Sequence, residues 1–235
     1  HPGVNKAMYE RINFADFRKK SWLDPDYTWK PSSENYDPDS YQFCGKDDAL
    51  TGYEAYGFTN AYDYFMYDAA PYESIKFRPA NGQCVDYTEG NCADHMLMRV
   101  EEMYFIEIEA AAQMSRNVTV RVDEDEVPEL IKGGLDEAKT LLNSFMRTYR
   151  YRSYDCSRIT SHTLFIQEML FQKRVEFWGE GILFYDYKRL DQGISRGYPG
   201  TNFPAIARFN TAERSPQWNI LIPQAEYQSN TAIAG

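Results

Sequence analysis

No stretch of about eighteen consecutive apolar residues occurs, so nothing in the sequence reads as a membrane-spanning helix. Histidine is scarce. His1 is terminal, and His95 and His162 stand in no H-E-x-x-H or H-x-H pattern, which leaves zinc-hydrolase and triad chemistry without their usual residues. G-x-S-x-G, P-loop and G-x-G-x-x-G motifs are all missing. Cys44, Cys84, Cys92 and Cys156 form no C-x-x-C pair, which argues against a structural zinc site and a thioredoxin-like redox centre. Clustered Lys and Arg are also lacking. With 25 Lys+Arg against 35 Asp+Glu, the net charge of −10 makes the chain a poor counterion for phosphate and excludes nucleic acid as a partner. No charged-then-apolar leader follows His1-Pro2-Gly3. The chain is therefore read as either cytoplasmic or a piece of something longer.

What is present is a core and many aromatic rings. The 235 residues are 43% hydrophobic, enough for one large domain or two small ones. Tyrosine is abundant at 19, beside 14 Phe and 4 Trp. Residues 22–72 alone carry 2 Trp, 9 Tyr and 3 Phe, broken by Pro25, Pro31, Pro38, Gly45, Gly52, Gly57 and Pro71. Neither a 3.6 nor a 2.0 period persists there, so the stretch reads as ordered loop with short helical turns. Seven residues separate Cys84 from Cys92 and include Gly90 and Asn91. A local disulfide and four unrelated thiols are both open readings.

Helical periodicity begins at Leu97. Leu97, Val100, Tyr104, Ile108 and Ala111 form one row to Met114, and Met103, Ile106, Ala110 and Met114 a second, which predicts a helix packed on more than one side with Asp94 as N-cap. A second helix is expected from about Leu135 to Tyr149, with Leu135, Ala138, Leu141, Leu142, Phe145, Met146 and Tyr149 on one face. Asp136 and Glu137 suit its start and Arg147 and Arg150 its end, as the helix dipole prefers. Between the two, Val118–Val122 reads as a short strand and Asp123–Glu126 as a solvated loop. A third helix spans 163–178, aligning Leu164, Phe171, Val175 and Trp178, with Ser161 as cap. After Gly179 and Gly181 the chain is turn-rich. No repeat of fixed period is visible, so the pattern alone gives a mainly α architecture with long loops.

Glu176 and Glu180 lie four apart, on one face of a helix. A glycosidase pair flanks its bond from opposite sides and comes from different elements, so these two read as structural ion-pair partners of Lys173, Arg174 or Lys188.

Gln172-Lys173-Arg174-Val175-Glu176-Phe177-Trp178-Gly179-Glu180-Gly181, followed by Phe184-Tyr185-Asp186-Tyr187-Lys188-Arg189, is distinctive. It describes a helix stopped by glycine and a charged aromatic turn in which Asp186 takes donors from nearby backbone, Arg174 or Arg189. The segment resembles the C-terminal signature of the SusD/RagB family, close to R-x-E-F/L-x-x-E-G-x-R-F/W-F/Y-D-L-x-R. Three further stretches match in order. Leu97 to Ala110, after Ile75-Lys76-Phe77-Arg78, resembles L-x-R-x-A-E-x-x-L-x-x-A-E-A; Leu141-Leu142-Asn143 with Arg147 resembles L-N-x-x-R; Ile222-Pro223-Gln224-Ala225-Glu226 with Asn230 resembles I-P-x-x-E-x-x-x-N. Leu183 stands where the family usually has Arg, and Glu101 makes the usual Ala-Glu a Glu-Glu. The resemblance covers roughly residues 75–235; upstream, Asp16-Phe17-Arg18 alone is suggestive.

The resemblance implies a SusD-like α/α superhelix with tetratricopeptide-like helix pairs and long irregular loops. Residues 1–74 would be a loop-rich aromatic segment of that same domain, and 75–235 its SusD/RagB C-terminal region. It implies a non-catalytic lipoprotein at the outer membrane, anchored by a lipid in a preceding part. Such a protein captures glycans and delivers them to a SusC-like TonB-dependent transporter; a peptide-binding RagB-like role and, further off, a glycan hydrolase are the alternatives. No cofactor and no metal are implied. The signature residues read as scaffold, so cargo contacts are expected instead from the loop-borne rings, Trp22, Tyr27, Trp29 and Tyr36 first, with Tyr41, Tyr53 and Tyr56 behind them. Asn35 or Asp37 would add polar contacts. Sugar C–H faces stack on such rings while the hydroxyls need hydrogen-bonding partners.

Overall fold

The computed structural model describes residues 3–22, 25, 28–31, 41–44, 72–74, 76–77, 97–121, 128–219 and 224. These are mainly helical, with two short hairpins, as the sequence and its family resemblance predict. The chain divides into two compact units, His1–Glu176 and Phe177–Gly235, described in turn.

The first unit opens with α1 (Lys6–Arg11) and a 3-10 turn (Phe17–Ser21). Asn5 caps α1 by accepting from the Ala7 N–H, and Asp16 caps the turn by accepting from the Arg18 N–H. Val4, Met8, Tyr9, Ile12 and Trp22 are all buried, so this N-terminal strap belongs to the core. Two strands follow, β1 (Thr28–Pro31) and β2 (Tyr41–Cys44), paired antiparallel with Thr28 opposite Cys44. They add a short hairpin to a stretch expected as mostly ordered loop with short helical turns, most of which lies outside the described residues; four residues is the shortest run over which alternation can show in a sequence.

Three helices carry the core: α2 (Val100–Gln113), α3 (Leu135–Tyr149) and α4 (His162–Glu176). Tyr104 meets Tyr149, Phe105 meets Phe145, and the Gly134 N–H reaches the Ala111 carbonyl, so α2 and α3 run antiparallel. The hairpin β3 (Val118–Val120) and β4 (Glu129–Ile131) joins them. Chain closure there needs glycine, because a Cβ on Gly133 would sit 2.5 Å from that of Met114. α3 has the predicted bounds, but of its expected apolar face Leu135 and Leu141 are only half-buried and Tyr149 is exposed. α4 is capped at Ser161, whose hydroxyl accepts from the Leu164 N–H, but ends at Glu176 rather than 178.

Several expectations are corrected. The residue capping α2 is Arg99, without a side-chain cap bond, and Asp94 lies outside the described residues. α2 buries Phe105, Ile108, Ala111 and Ala112, whereas Met103, Ile106 and Ala110 of the second row are exposed. Leu97 and Val100 of the first row are exposed as well, and Phe105 and Ala112 belong to neither row, so the buried face follows only Ile108 and Ala111 of the expected pattern. On α4, Leu164 is exposed and Trp178 falls beyond the helix and is half-buried; Phe165, Met169, Phe171 and Val175 form the buried face.

In the second unit, α5 (Ile182–Arg189) follows Gly179 and Gly181 at φ 77° and 82°, left-handed conformations that glycine adopts without strain. Arg189 donates to the buried Asp186 at 2.8 Å, one of the pairings foreseen for the signature turn. Beyond it, Ser195 pairs with Asn210, and the Asn210 side chain accepts from the Arg196 and Gly197 N–H groups.

Truncating Phe105, fully buried between α2 and α3, removes ring contacts and leaves a cavity. Phe105→Ala is expected to cost about 3–5 kcal/mol in urea unfolding. An unchanged midpoint would mean that the α2–α3 interface is not the core.

Candidate functional site

At the C-terminal end of α4, one buried carboxylate gathers three guanidinium groups. Glu176 has only 3% of its side chain exposed. Arg150, at the end of α3, binds it bidentately, Nε to Oε2 at 2.7 Å and Nη2 to Oε1 at 2.8 Å. Arg18, from the N-terminal strap, donates Nη1 to Oε2 at 3.0 Å, and Arg99 donates Nη2 to Oε1. The guanidiniums are themselves shared. Arg18 also holds Asp16 at 2.6 Å and the Gln172 side chain at 2.6 Å, and Arg150 reaches Glu101 at 3.2 Å. Three Arg therefore face three carboxylates (Asp16, Glu101 and Glu176), so the cluster is neutral although nearly dry.

Such a cluster suits its place. Arg150 and Lys173–Arg174 lie in last turns, where the helix dipole favours cations, and Lys76 Nζ and Arg99 Nη1 both donate to the Glu176 carbonyl that α4 leaves open. Arg99 stands against the dipole of α2, offset by Glu101 and Glu102 in its first turn. Burial alone would raise the Glu176 pKa, but the Arg150 hydrogen bonds and the charges of Arg18, Arg150 and Arg99 outweigh it and hold the carboxyl below its ordinary 4.5. Burial pushes Glu101 the same way, and the Arg99 bond and charge again win.

A second polar group fixes the loop between α3 and α4. Asn143 accepts from the Cys156 N–H at 2.9 Å and donates to Ser157 Oγ, while Arg147 Nε donates to the Tyr154 carbonyl at 2.6 Å. Asn143 and Arg147 thus clamp this loop. The Tyr154 hydroxyl donates to Glu168, which also takes Gln172 and Arg11. Burial pushes the Cys156 thiol up to about 11 and the Tyr151 hydroxyl up to about 12, so both stay protonated at neutral pH.

None of this is catalytic machinery. Glu176 has both oxygens occupied by guanidinium donors and is kept ionised, so it cannot deliver a proton as a glycosidase acid does. Its structural role is as expected; its partners are Arg18, Arg99 and Arg150 instead of Lys173, Arg174 or Lys188. Among the described residues, no three or more His, Cys, Asp or Glu are grouped to hold a metal ion, and no helix is long and apolar enough to cross a membrane.

The aromatic cargo residues fare differently. Trp22 is 1% exposed and its backbone pairs with Ser74, so its ring is core and the expectation that it stacks on cargo is corrected. The backbone of Trp29 lies in β1, opposite Phe43. The Trp29 side chain, and Tyr27, Asn35, Tyr36, Asp37, Tyr53 and Tyr56 altogether, lie outside the described residues, as do Cys84, Cys92 and the acidic run 123–126. Sequence reasoning missed the Arg18–Glu176 link. The available signal was a charge wedged between apolar neighbours, Val175-Glu176-Phe177, and the Asp16-Phe17-Arg18 triplet.

Glu176→Gln leaves three guanidiniums with a neutral partner and is expected to cost about 3–5 kcal/mol. A folded pKa held below the unfolded one contributes stability that is present above pH 4.5 and lost as pH falls through the folded value. The wild type should lose stability below pH 4.5 more steeply than Glu176→Gln in urea melts. Parallel acid profiles would sink this.

The SusD family model matches residues 8–233, nearly the whole chain and further upstream than the sequence motifs alone reach. No curated protein and no solved structure matches it. With a matching family model over almost all its length, a mainly helical fold, and its signature carboxylate serving as a structural hub, this chain belongs to the SusD family.

Proposed function

We propose that the protein captures a glycan at the outer membrane and passes it, unaltered, to a SusC-like TonB-dependent transporter. The observation that carries this is the family match over residues 8–233, since SusD proteins are nutrient binders that generally lack catalytic activity. Two features support it. The signature carboxylate Glu176 is consumed by the scaffold, and the sequence from Tyr27 to Tyr67 is dense in rings suited to stacking on sugar C–H faces. Tyr27, Trp29 and Tyr36 are the proposed cargo contacts, with Asn35 or Asp37 bonding hydroxyls.

Calorimetry against a panel of oligosaccharides, with free peptides alongside, tests it. Retention of a glycan without release of reducing ends is expected. Trp29→Ala should weaken binding by about 0.5–1.5 kcal/mol beyond its area term with an unchanged melting midpoint, whereas Trp22→Ala should lower the midpoint. Selective retention of peptide would replace the glycan with the RagB-like cargo, and release of reducing ends would overturn the binder altogether.

A further inference from the structure

In the second unit, residues 193–211 turn back on themselves and hold one guanidinium in place. Thr211 meets Ile194 twice, its N–H donating to the Ile194 carbonyl at 2.8 Å and its hydroxyl accepting from the Ile194 N–H at 2.8 Å. The Arg196 N–H donates to the Phe209 carbonyl at 3.2 Å. Asn210 closes the crossing: its side chain accepts from the Arg196 and Gly197 N–H groups and donates to the Gly197 carbonyl at 2.9 Å. Arg208 Nε donates to the Phe203 carbonyl at 2.6 Å, across the base of the 3-10 turn Ala205–Ala207.

These bonds set the Arg196 guanidinium over two rings, 5.3 Å from the centroid of Phe203 and 5.3 Å from that of Phe209. Ring contact of this kind orders the planar group without using its N–H donors. Arg196 is half-buried, yet among the described residues no carboxylate pairs with it and its five guanidinium N–H groups have no acceptor. Its neighbours differ, since Arg189 pairs with Asp186 and Arg214 with Asp191. Residues 188–214 also carry five Lys and Arg against two Asp and Glu, although the whole chain stands at −10. Such a local excess of positive charge attracts anions.

We propose that Arg196, with Phe203 and Phe209, is a carboxylate-binding site that takes an acidic sugar of the uronate type. Two parallel N–H groups on a planar guanidinium match the two oxygens of one carboxylate, and its single positive charge matches the single negative one. The Phe209 ring, 46% exposed, offers a face to the C–H groups of the sugar that bears the carboxylate. Folding has already ordered the guanidinium, so binding does not carry the cost of immobilising a long side chain. That the carboxylate sits on a sugar rests on the function proposed above; the anion site does not.

Calorimetry of the full chain against trigalacturonate and its methyl ester, which share a backbone and differ in carboxyl charge, tests it. The acid form should bind about tenfold more tightly than the ester, and the preference should shrink as salt is raised. Arg196→Gln should bring the ratio close to one. Arg196→Lys, which keeps the charge but not the paired donors, should lose most of the preference. In the wild type the acid form should also protect Arg196 from phenylglyoxal, read by peptide mass, which needs no folded variant. Equal affinity for acid and ester, a preference that survives Arg196→Gln, or an unprotected Arg196 overturns the site, and leaves the glycan binder standing if neutral sugars are still retained. Inorganic phosphate bound in place of the acid sugar overturns the carboxylate assignment. Retention of a peptide through its free C-terminal carboxylate, lost on amidation and in Arg196→Gln, keeps the anion site and overturns the sugar.

Discussion

The structure turns on one ionised carboxylate that cannot be left alone. Removed from water, Glu176 would be costly to bury, and the folded chain offsets this by bringing three guanidinium groups to its two oxygens. Each of those groups comes from a different element: the N-terminal strap, the start of α2 and the end of α3. No apolar side chain at that position would specify such a meeting, because hydrophobic contact is non-directional whereas a bidentate guanidinium–carboxylate pair fixes both distance and angle. The hub thus sets where four segments converge, and apolar packing around Phe105, Phe145, Phe165 and Met169 supplies most of the stabilisation.

That division of labour explains why the family signature is rich in charge and yet not a binding site. Arg174-x-Glu176-Phe177 marks the end of a helix whose last carbonyl is capped by Lys76 and Arg99. Glycine then redirects the chain at Gly179 and Gly181. Asn143 and Arg147 do comparable work on the loop at 151–157. Motifs of this kind record what the scaffold needs. The proposed cargo contacts lie elsewhere, in the Pro- and Gly-broken aromatic stretch.

How much could be read in advance follows from the range of each interaction. The bounds of α3 were legible because its apolar spacing, acidic start and basic end are all local, though that spacing could not show that Tyr149 stays exposed. Ser161 as the cap of α4 was legible for the same reason. The start of α2 was misjudged at Asp94 because Arg99 is drawn to Glu176, seventy-seven positions away, and the helix begins after it. Periodicity could count the second apolar row of α2, Met103, Ile106 and Ala110, but could not show that it faces outward. Trp22 was misassigned by its neighbours: a ring before a Pro-broken stretch suggests exposure, whereas its pairing with Ser74 draws it into the core. The hub itself joins residues 16, 18, 99, 101, 150 and 176, and no local pattern reveals such a set.

The central claim is that Arg18 and Glu176 act as a pair, tying the strap to the helices. A double-mutant cycle with Arg18→Met, Glu176→Gln and the combined variant, read by urea unfolding at neutral pH, measures it most directly. The account predicts a coupling of at least about 1.5 kcal/mol, within the range for residues sharing one ion-pair network. Additive effects, with a coupling near zero, would mean that the strap is held by its other contacts, such as Arg11 on Glu168 and apolar packing, and would contradict it.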